Sequence, residues 1–206
     1  MSTARQAHKS DQSYFRLEAS KSAILVIDMQ NGFLEPGARL EVPAGRDIIP
    51  NIDRLIQHCR NENVPVIWIQ LDSSEPYGGI LLDKYPPLRT EKVLYKGTHS
   101  FELFKDMPTP VAGDHVVTKH KYDAFYETDL NGLLNNLGRD TLIITGVTSN
   151  CCCESTARSA FERDYKVAFI DDATAAFEQR LHEATLGTIN ELFGRVMSTE
   201  DVVNEL

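Results

Sequence analysis

An α/β domain with helices on both faces of a parallel sheet is what this sequence predicts, and three observations predict it. Short apolar runs rich in β-branched residues recur without polar alternation, as strands covered on both faces do. Segments with apolar residues at helical spacing separate these runs. The two kinds of segment alternate along the chain with no internal repeat and no low-complexity tract between them. The expected architecture is a three-layer α/β/α sandwich around a six-stranded parallel sheet. It occupies residues 16–206 as one domain, after a flexible polar arm over residues 1–15.

The elements follow in order. Residues 22–28, SAILVID, form the first strand, and Asp28 ends it; Asn31-Gly32 and Pro36-Gly37 then mark turns. From Gly45 to Asn63 a helix is expected, with Ile48, Ile52, Leu55, Ile56 and Cys59 on its buried stripe. Residues 64–70, VPVIWIQ, are the second strand. Residues 71–113 are long, irregular and proline-rich, a length that in a compact domain belongs to a functional segment or one with short elements of its own. They are expected to wall a pocket or form a subunit contact, with Tyr77, Tyr85, Tyr95 and Phe101 as the aromatic surface.

Residues 114–119, DHVVTK, make the third strand, with Val116 and Val117 buried. A helix starts near Thr128, capped by Thr128 or Asp129. Leu142–Thr145 is the fourth strand, Gly146 punctuates it, and Thr148-Ser149-Asn150 are capping residues for the next helix. Lys166–Ile170 is the fifth strand, closed by Asp171-Asp172. A helix through Leu181 and Ile189, a short strand Arg195–Met197 and a tail helix Glu200–Leu206 complete the chain.

Charge and composition exclude several roles. The formal net charge is −9, with no long basic run, which argues against nucleic acid and anionic membranes as partners. No stretch approaches the ~20 apolar residues of a membrane span, and the polar start of the chain is not expected to act as a secretory signal. Of the four cysteines, three are adjacent, so no disulfide framework is expected. A reducing, cytoplasmic setting follows from that reading.

The chemistry sits at strand ends, where open α/β sheets bind ligands. Asp28 ends strand one, a lysine ends strand three, and Cys151, Cys152 and Cys153 follow strand four. A small cysteine often simply packs. Three in a row on a helical turn cannot all face the core, and a helix start favours the thiolate. Carboxylate, amine and thiol together make a nucleophilic catalyst that needs no metal. Residues alone leave Lys119 and Lys121 as candidate amines, because side chains two apart on a strand point the same way.

Four blocks in this order and spacing resemble the isochorismatase-like cysteine hydrolase superfamily: ILVIDMQNGF (24–33), VTKHKYDAF (117–125), GVTSNCCCESTARSA (146–160) and VAFIDDA (167–173). The resemblance covers residues 22 to about 197 and implies an Asp28, Lys119, Cys152 triad. It selects Lys119 by its place three residues before Tyr122, and Cys152 by its place two residues after Asn150. It further implies a cis peptide between Val147 and Thr148, an oxyanion hole from the Thr148 and Cys152 N–H groups, and Phe33, Gln70 and Tyr122 as substrate-binding residues. Strand order 3-2-1-4-5-6 and a homo-oligomer, dimer or tetramer, come with it.

The implied activity is hydrolysis of a C–N bond in a small amide, ureido or carbamoyl compound through a thioester, releasing ammonia or an amine. The alternative is isochorismatase-type hydrolysis of a non-amide without covalent catalysis. A catalytically idle binding protein and a redox role for the cysteine triplet are weaker readings. Where nicotinamidases of the family carry an Asp-x-His metal motif, this chain reads Gln70-Leu71-Asp72-Ser73 with no His following. No metal and no cofactor are therefore expected, and nicotinamidase is disfavoured. Residues 95–104 and the Trp68 strand are more similar to ureido- and carbamoyl-hydrolysing members. Thr148-Ser149, Cys153 and Asp123 depart from the common family residues and bear on substrate identity.

Overall fold

The computed structural model describes residues 15–206. A six-stranded sheet runs in the order β3-β2-β1-β4-β5-β6, every neighbouring pair parallel. The strands are β1 (Ser22–Ile27), β2 (Val66–Leu71), β3 (His115–Lys119), β4 (Thr141–Val147), β5 (Lys166–Ala175) and β6 (Arg195–Met197). The helices are α1 (Asn31–Leu34), α2 (Ile49–Asn61), α3 (Ile80–Lys84), α4 (Pro86–Thr90), α5 (Leu130–Asn136), α6 (Glu154–Phe161), α7 (Gln179–Leu192) and α8 (Thr199–Glu205). No helix among the described residues is long and apolar enough to cross a membrane.

The continuous apolar runs have the physical cause the sequence suggested. Every residue of β1 is buried. Ile24 and Val26 join one core cluster with Ile52, Leu55, Ile56 and Cys59 of α2 and Val202 of α8. Ala23, Leu25 and Ile27 join the other with Leu134 of α5, Ala157 and Ala160 of α6 and Ile189 of α7. Alternate residues thus feed opposite layers. Burying each large aliphatic side chain stabilises the fold by about 1.5–3 kcal/mol.

The structure also corrects the reading at several points. β4 runs on through Gly146 to Val147 rather than stopping at Thr145. Gly146 has φ +107, and a Cβ there would lie 2.0 Å from the Ile27 carbonyl oxygen, so glycine lets β1 and β4 converge where the site begins. β5 likewise continues past Asp171-Asp172 to Ala175, with an irregular register between Ile144 and Gly146 on its neighbour. Val116 is 55% exposed while Val117 is buried; β3 is an edge strand with one open side, and alternation turns Val117 and Lys119 inward together.

Two further differences concern ends. The Thr148, Ser149 and Asn150 side chains make no cap bond; a π-helical turn, Ser149–Cys153, stands between β4 and α6 instead. The arm expected over residues 1–15 lies outside the described residues except for Phe15. Phe15 is buried, its carbonyl accepts a 2.6 Å bond from Arg195 Nη1, and its ring lies under that guanidinium. Arg195 also pairs with Glu205 at 2.7 Å, so the start of the described chain and the tail helix close against one another.

Candidate active site

The site forms where β1, β3 and β4 end. Asp28 follows Ile27 with φ +55, a left-handed conformation that aspartate tolerates better than most residues. Its N–H donates to the Ile69 carbonyl at 2.9 Å, and its own carbonyl accepts from the Gln30 N–H at 2.8 Å. The turn aims the carboxylate back over the sheet edge. Gln30, fully buried, fixes that turn from the other side: Nε2 donates to the Leu71 and Phe101 carbonyls at 3.1 and 2.9 Å, and Oε1 accepts from the Leu71 N–H at 2.8 Å.

Lys119 closes β3, paired in register with Leu71 of β2. β2 separates it from β1, so the two backbones stand about 10 Å apart, and the long lysine side chain spans the gap. Its Nζ lies 2.8 Å from Asp28 Oδ2 and 3.4 Å from Cys152 Sγ, and donates to the Lys121 carbonyl at 3.1 Å. Asp28 and Lys119 expose none of their surface and Cys152 exposes 3%.

Electrostatics here differ from the sequence expectation. Burial pushes the Asp28 carboxyl up, opposed first by Lys119 and then by the Cys152 thiol. Burial also disfavours the Lys119 ammonium, yet Asp28 and Cys152 outweigh it and hold its pKa above the usual lysine range. The Cys152 thiol is held well above its ordinary range, by its hydrogen bond with Cys151, by burial and by the Asp28 carboxylate, with Lys119 pulling down. The helix start was expected to favour the thiolate; the Cys151 hydrogen bond, burial and the Asp28 carboxylate together outweigh the pull of Lys119. The resting site holds an ion pair beside a neutral thiol.

The three cysteines have separated roles. Cys152 meets Lys119; Cys153 is buried, its sulfur 3.9 Å from the Thr145 carbonyl; Cys151 is half-buried. The Val147–Thr148 peptide is cis. The Thr148 carbonyl accepts the N–H groups of Cys151 and Cys153, each at 3.1 Å, and not that of Cys152 between them.

Of the other expected site residues, Tyr122 is half-buried and packs against the cluster holding Cys151 and Cys152. Burial, followed by Cys151, pushes its phenol up to about 12, which keeps it a neutral donor. It also lines a cavity of about 290 Å³ with Ile80, Leu81, Lys84 and Lys121. Phe33 is buried in the core beside α2, and Gln70 makes a long 3.5 Å contact with the Phe101 carbonyl. Lys121, the other candidate amine, turns away from the triad: Nζ donates to the Tyr77 and Gly78 carbonyls, both at 2.8 Å, and pins the turn that leads into α3.

Asp72 is a different case. No His follows it in sequence, but His120 reaches it in space. His120 Nδ1 lies 2.8 Å from the Asp72 carbonyl and 3.8 Å from its Oδ2, and the His120 ring stacks on Tyr77 at 4.5 Å. The Asp72 carboxylate accepts from the Ser74 and Lys96 N–H groups at 3.0 and 3.1 Å. Those bonds give it a loop-holding task. Among the described residues no three His, Cys, Asp or Glu side chains converge as metal ligands.

Sequence reasoning missed Gln30 and His182, and gave Ser149 a capping role it does not have. Gln30 stood inside a quoted block, and an amide two residues beyond a strand-ending aspartate was its signal. Nothing marked His182, whose contact with the cysteine turn is made only by the fold.

Comparisons with known proteins place the chain among relatives. Residues 22–201 match the isochorismatase domain family. Nicotinamidase 3 of Arabidopsis thaliana is 36% identical over 174 residues, covering 84% of this chain and 81% of that protein. The ureidoacrylate amidohydrolase RutB of Methylobacterium radiotolerans is 33% identical over 201 residues, covering 87% of this chain and 77% of that protein. The crystal structure of a cysteine hydrolase from Pseudomonas syringae pv. phaseolicola superposes with a TM-score of 0.90 at 29% identity, covering 96% of this chain and 97% of that one. The relatives thus include an enzyme named for the activity that the Asp72 region disfavours. With the domain match spanning most of its length, this chain belongs to the isochorismatase-like hydrolase superfamily.

Proposed function

We propose that this protein is a cysteine-dependent hydrolase of a non-peptide C–N bond in a small amide, ureido or carbamoyl compound. One observation carries the reading: Lys119 Nζ sits between Asp28 Oδ2 at 2.8 Å and Cys152 Sγ at 3.4 Å, out of water at the strand ends. Two relatives named for amide hydrolysis, a nicotinamidase and a ureidoacrylate amidohydrolase, support the bond class.

In this mechanism Cys152 Sγ bonds to the substrate carbonyl carbon as its proton passes to Asp28. The raised pKa of both groups suits that exchange, since neither gives up or takes the proton for good. The negative oxygen rests on the Thr148 and Cys152 N–H groups. Asp28 then hands the proton to the nitrogen, the C–N bond breaks, and ammonia or an amine leaves. Asp28 next takes a proton from water, which attacks the thioester; the S–C bond breaks and the proton returns to sulfur. Lys119 stays charged throughout and offsets whichever of Asp28 and Cys152 is the anion. The acyl part of the substrate lies toward Tyr122 and the cavity of Ile80 and Leu81, whose apolar lining suits a small, weakly polar group.

The test is release of ammonia or amine from a panel of carboxamides, including nicotinamide, together with ureas and carbamates. Turnover of at least one class is expected. Hydrolysis confined to non-amide compounds, with none of the panel cleaved, would favour non-covalent chemistry.

A further inference from the structure

The turn that carries Cys152 is gripped from outside the site. Ser149, its first residue, is fully buried, and its Oγ lies 3.0 Å from Nδ1 of His182 in the first turn of α7. One turn further along α7, Thr185 Oγ1 donates to Glu154 Oε2 at 2.8 Å, and Glu154 directly follows the turn. Positions three apart share a helix face, so a single stripe of α7 holds both ends of residues 149–154. π-Helical turns are rare and frequently lie at functional sites, and this one carries the Cys152 sulfur.

The Asp171 backbone carbonyl on β5 bonds to the His182 ring, and Nδ1 shares a second bond with the Ser149 hydroxyl, its donor set by the ring tautomer. Burial keeps the ring neutral by pushing its pKa down, with Glu183 on its own helix acting weakly the other way. A buried imidazole with two satisfied nitrogens is a rigid link between β5, α7 and the cysteine turn.

We infer that His182 is a positioning residue for the nucleophile: through Ser149 it sets where Cys152 Sγ stands relative to Lys119 and Asp28. The inference rests on the proposed role of Cys152, and its test includes a readout that needs no substrate. That readout is the second-order rate of Cys152 alkylation by iodoacetamide, followed on the Cys152 peptide by mass spectrometry. The other readouts are kcat and KM on an amide the wild type cleaves.

His182→Leu keeps the volume and removes the partner of the Ser149 hydroxyl. It is expected to lower kcat about tenfold with KM within about twofold, and to change the alkylation rate by a similar factor, as loss of a buried hydrogen bond at a positioned group does. His182→Asn, whose side-chain oxygen falls near the Nδ1 position, is expected to restore most of both. If His182→Leu fails to fold, Ser149→Ala opens the same bond from the other side and carries the same expectation. Wild-type kcat and alkylation in folded His182→Leu or Ser149→Ala would overturn the inference. So would equal losses in the Leu and Asn variants that track melting temperature. If the wild type cleaves no amide, the proposed activity fails while the alkylation comparison still decides the clamp.

Discussion

The triad corner and the wall beside it are built on opposite plans. Lys119 is placed by strand register, Asp28 by the turn that ends β1 and Cys152 by the buried turn after β4, and none exposes more than 3% of its surface. The wall, residues 73–101, is made of short pieces: α3, α4 and the turns around them, tied by backbone bonds and a few side chains such as Lys121 and Asp72. Its Ile80 is 80% exposed and Tyr77 57%. The corner cannot shift without unpairing buried charge, which is costly. The wall can change by single substitutions on short helices. On the proposed function, the sheet sets the reaction type and the wall the choice of substrate.

The sharpest way to break that division is at the corner. Lys119→Met and Asp28→Asn are both expected to lower kcat by at least about a thousandfold, because residues that act as a unit fail together. Lys119→Met also strands a buried carboxylate and should cost about 3 kcal/mol of stability by denaturant unfolding. Alkylation of Cys152 separates the two. In the wild type the raised thiol pKa leaves little thiolate at neutral pH, so the rate should climb through the alkaline range, above the ~8.5 of a free cysteine. Lys119 lowers that pKa and Asp28 raises it. The midpoint should therefore move up in Lys119→Met and down in Asp28→Asn. Shifts in the same direction would contradict the charge arrangement.

At the wall the effects should be smaller and fall on binding. Leu81→Ala and Tyr122→Ala remove apolar lining and should raise KM by about tenfold, in line with 1–3 kcal/mol for a pocket contact, while kcat falls less. A thousandfold loss of kcat in Leu81→Ala would erase the distinction between the two regions. Lys121→Met frees the Tyr77 and Gly78 carbonyls and should raise KM a few-fold and hasten proteolytic nicking between residues 73 and 80, with kcat nearly intact. The smallest effect belongs to the exposed Arg39–Glu91 pair, where Arg39→Ala should change stability by less than about 1 kcal/mol and activity not at all.

Legibility in the sequence follows the same division. The strands and the buried helix stripe were legible because burial on both faces leaves a continuous apolar run, as in β1 and β4, and burial on one leaves a 3–4 stripe, as in α2. That a carboxylate, an amine and a thiol meet was legible because strand ends share one sheet edge; the choice of Lys119 and Cys152 came from the family resemblance. What was hidden depends on contacts that periodicity does not record. Lys121 looked like a rival to Lys119 until the 77–78 turn took its ammonium. Val116 looked buried until β3 proved to be the sheet edge. His120 came to Asp72 from 48 residues away. The thiol was expected to be acidic from the helix start; its hydrogen bond with Cys151, its burial and the Asp28 carboxylate, which hold it high, appear only in the fold.

The central claim is that one of three adjacent thiols, Cys152, is the nucleophile, chosen by its contact with Lys119. Turnover in the three single variants Cys151→Ala, Cys152→Ala and Cys153→Ala, each shown folded by circular dichroism, tests it most directly. The account predicts no measurable turnover in Cys152→Ala, with Cys151→Ala and Cys153→Ala within about tenfold of wild type, the cost of a packing change beside the site. Turnover in Cys152→Ala together with its loss in Cys151→Ala would contradict it.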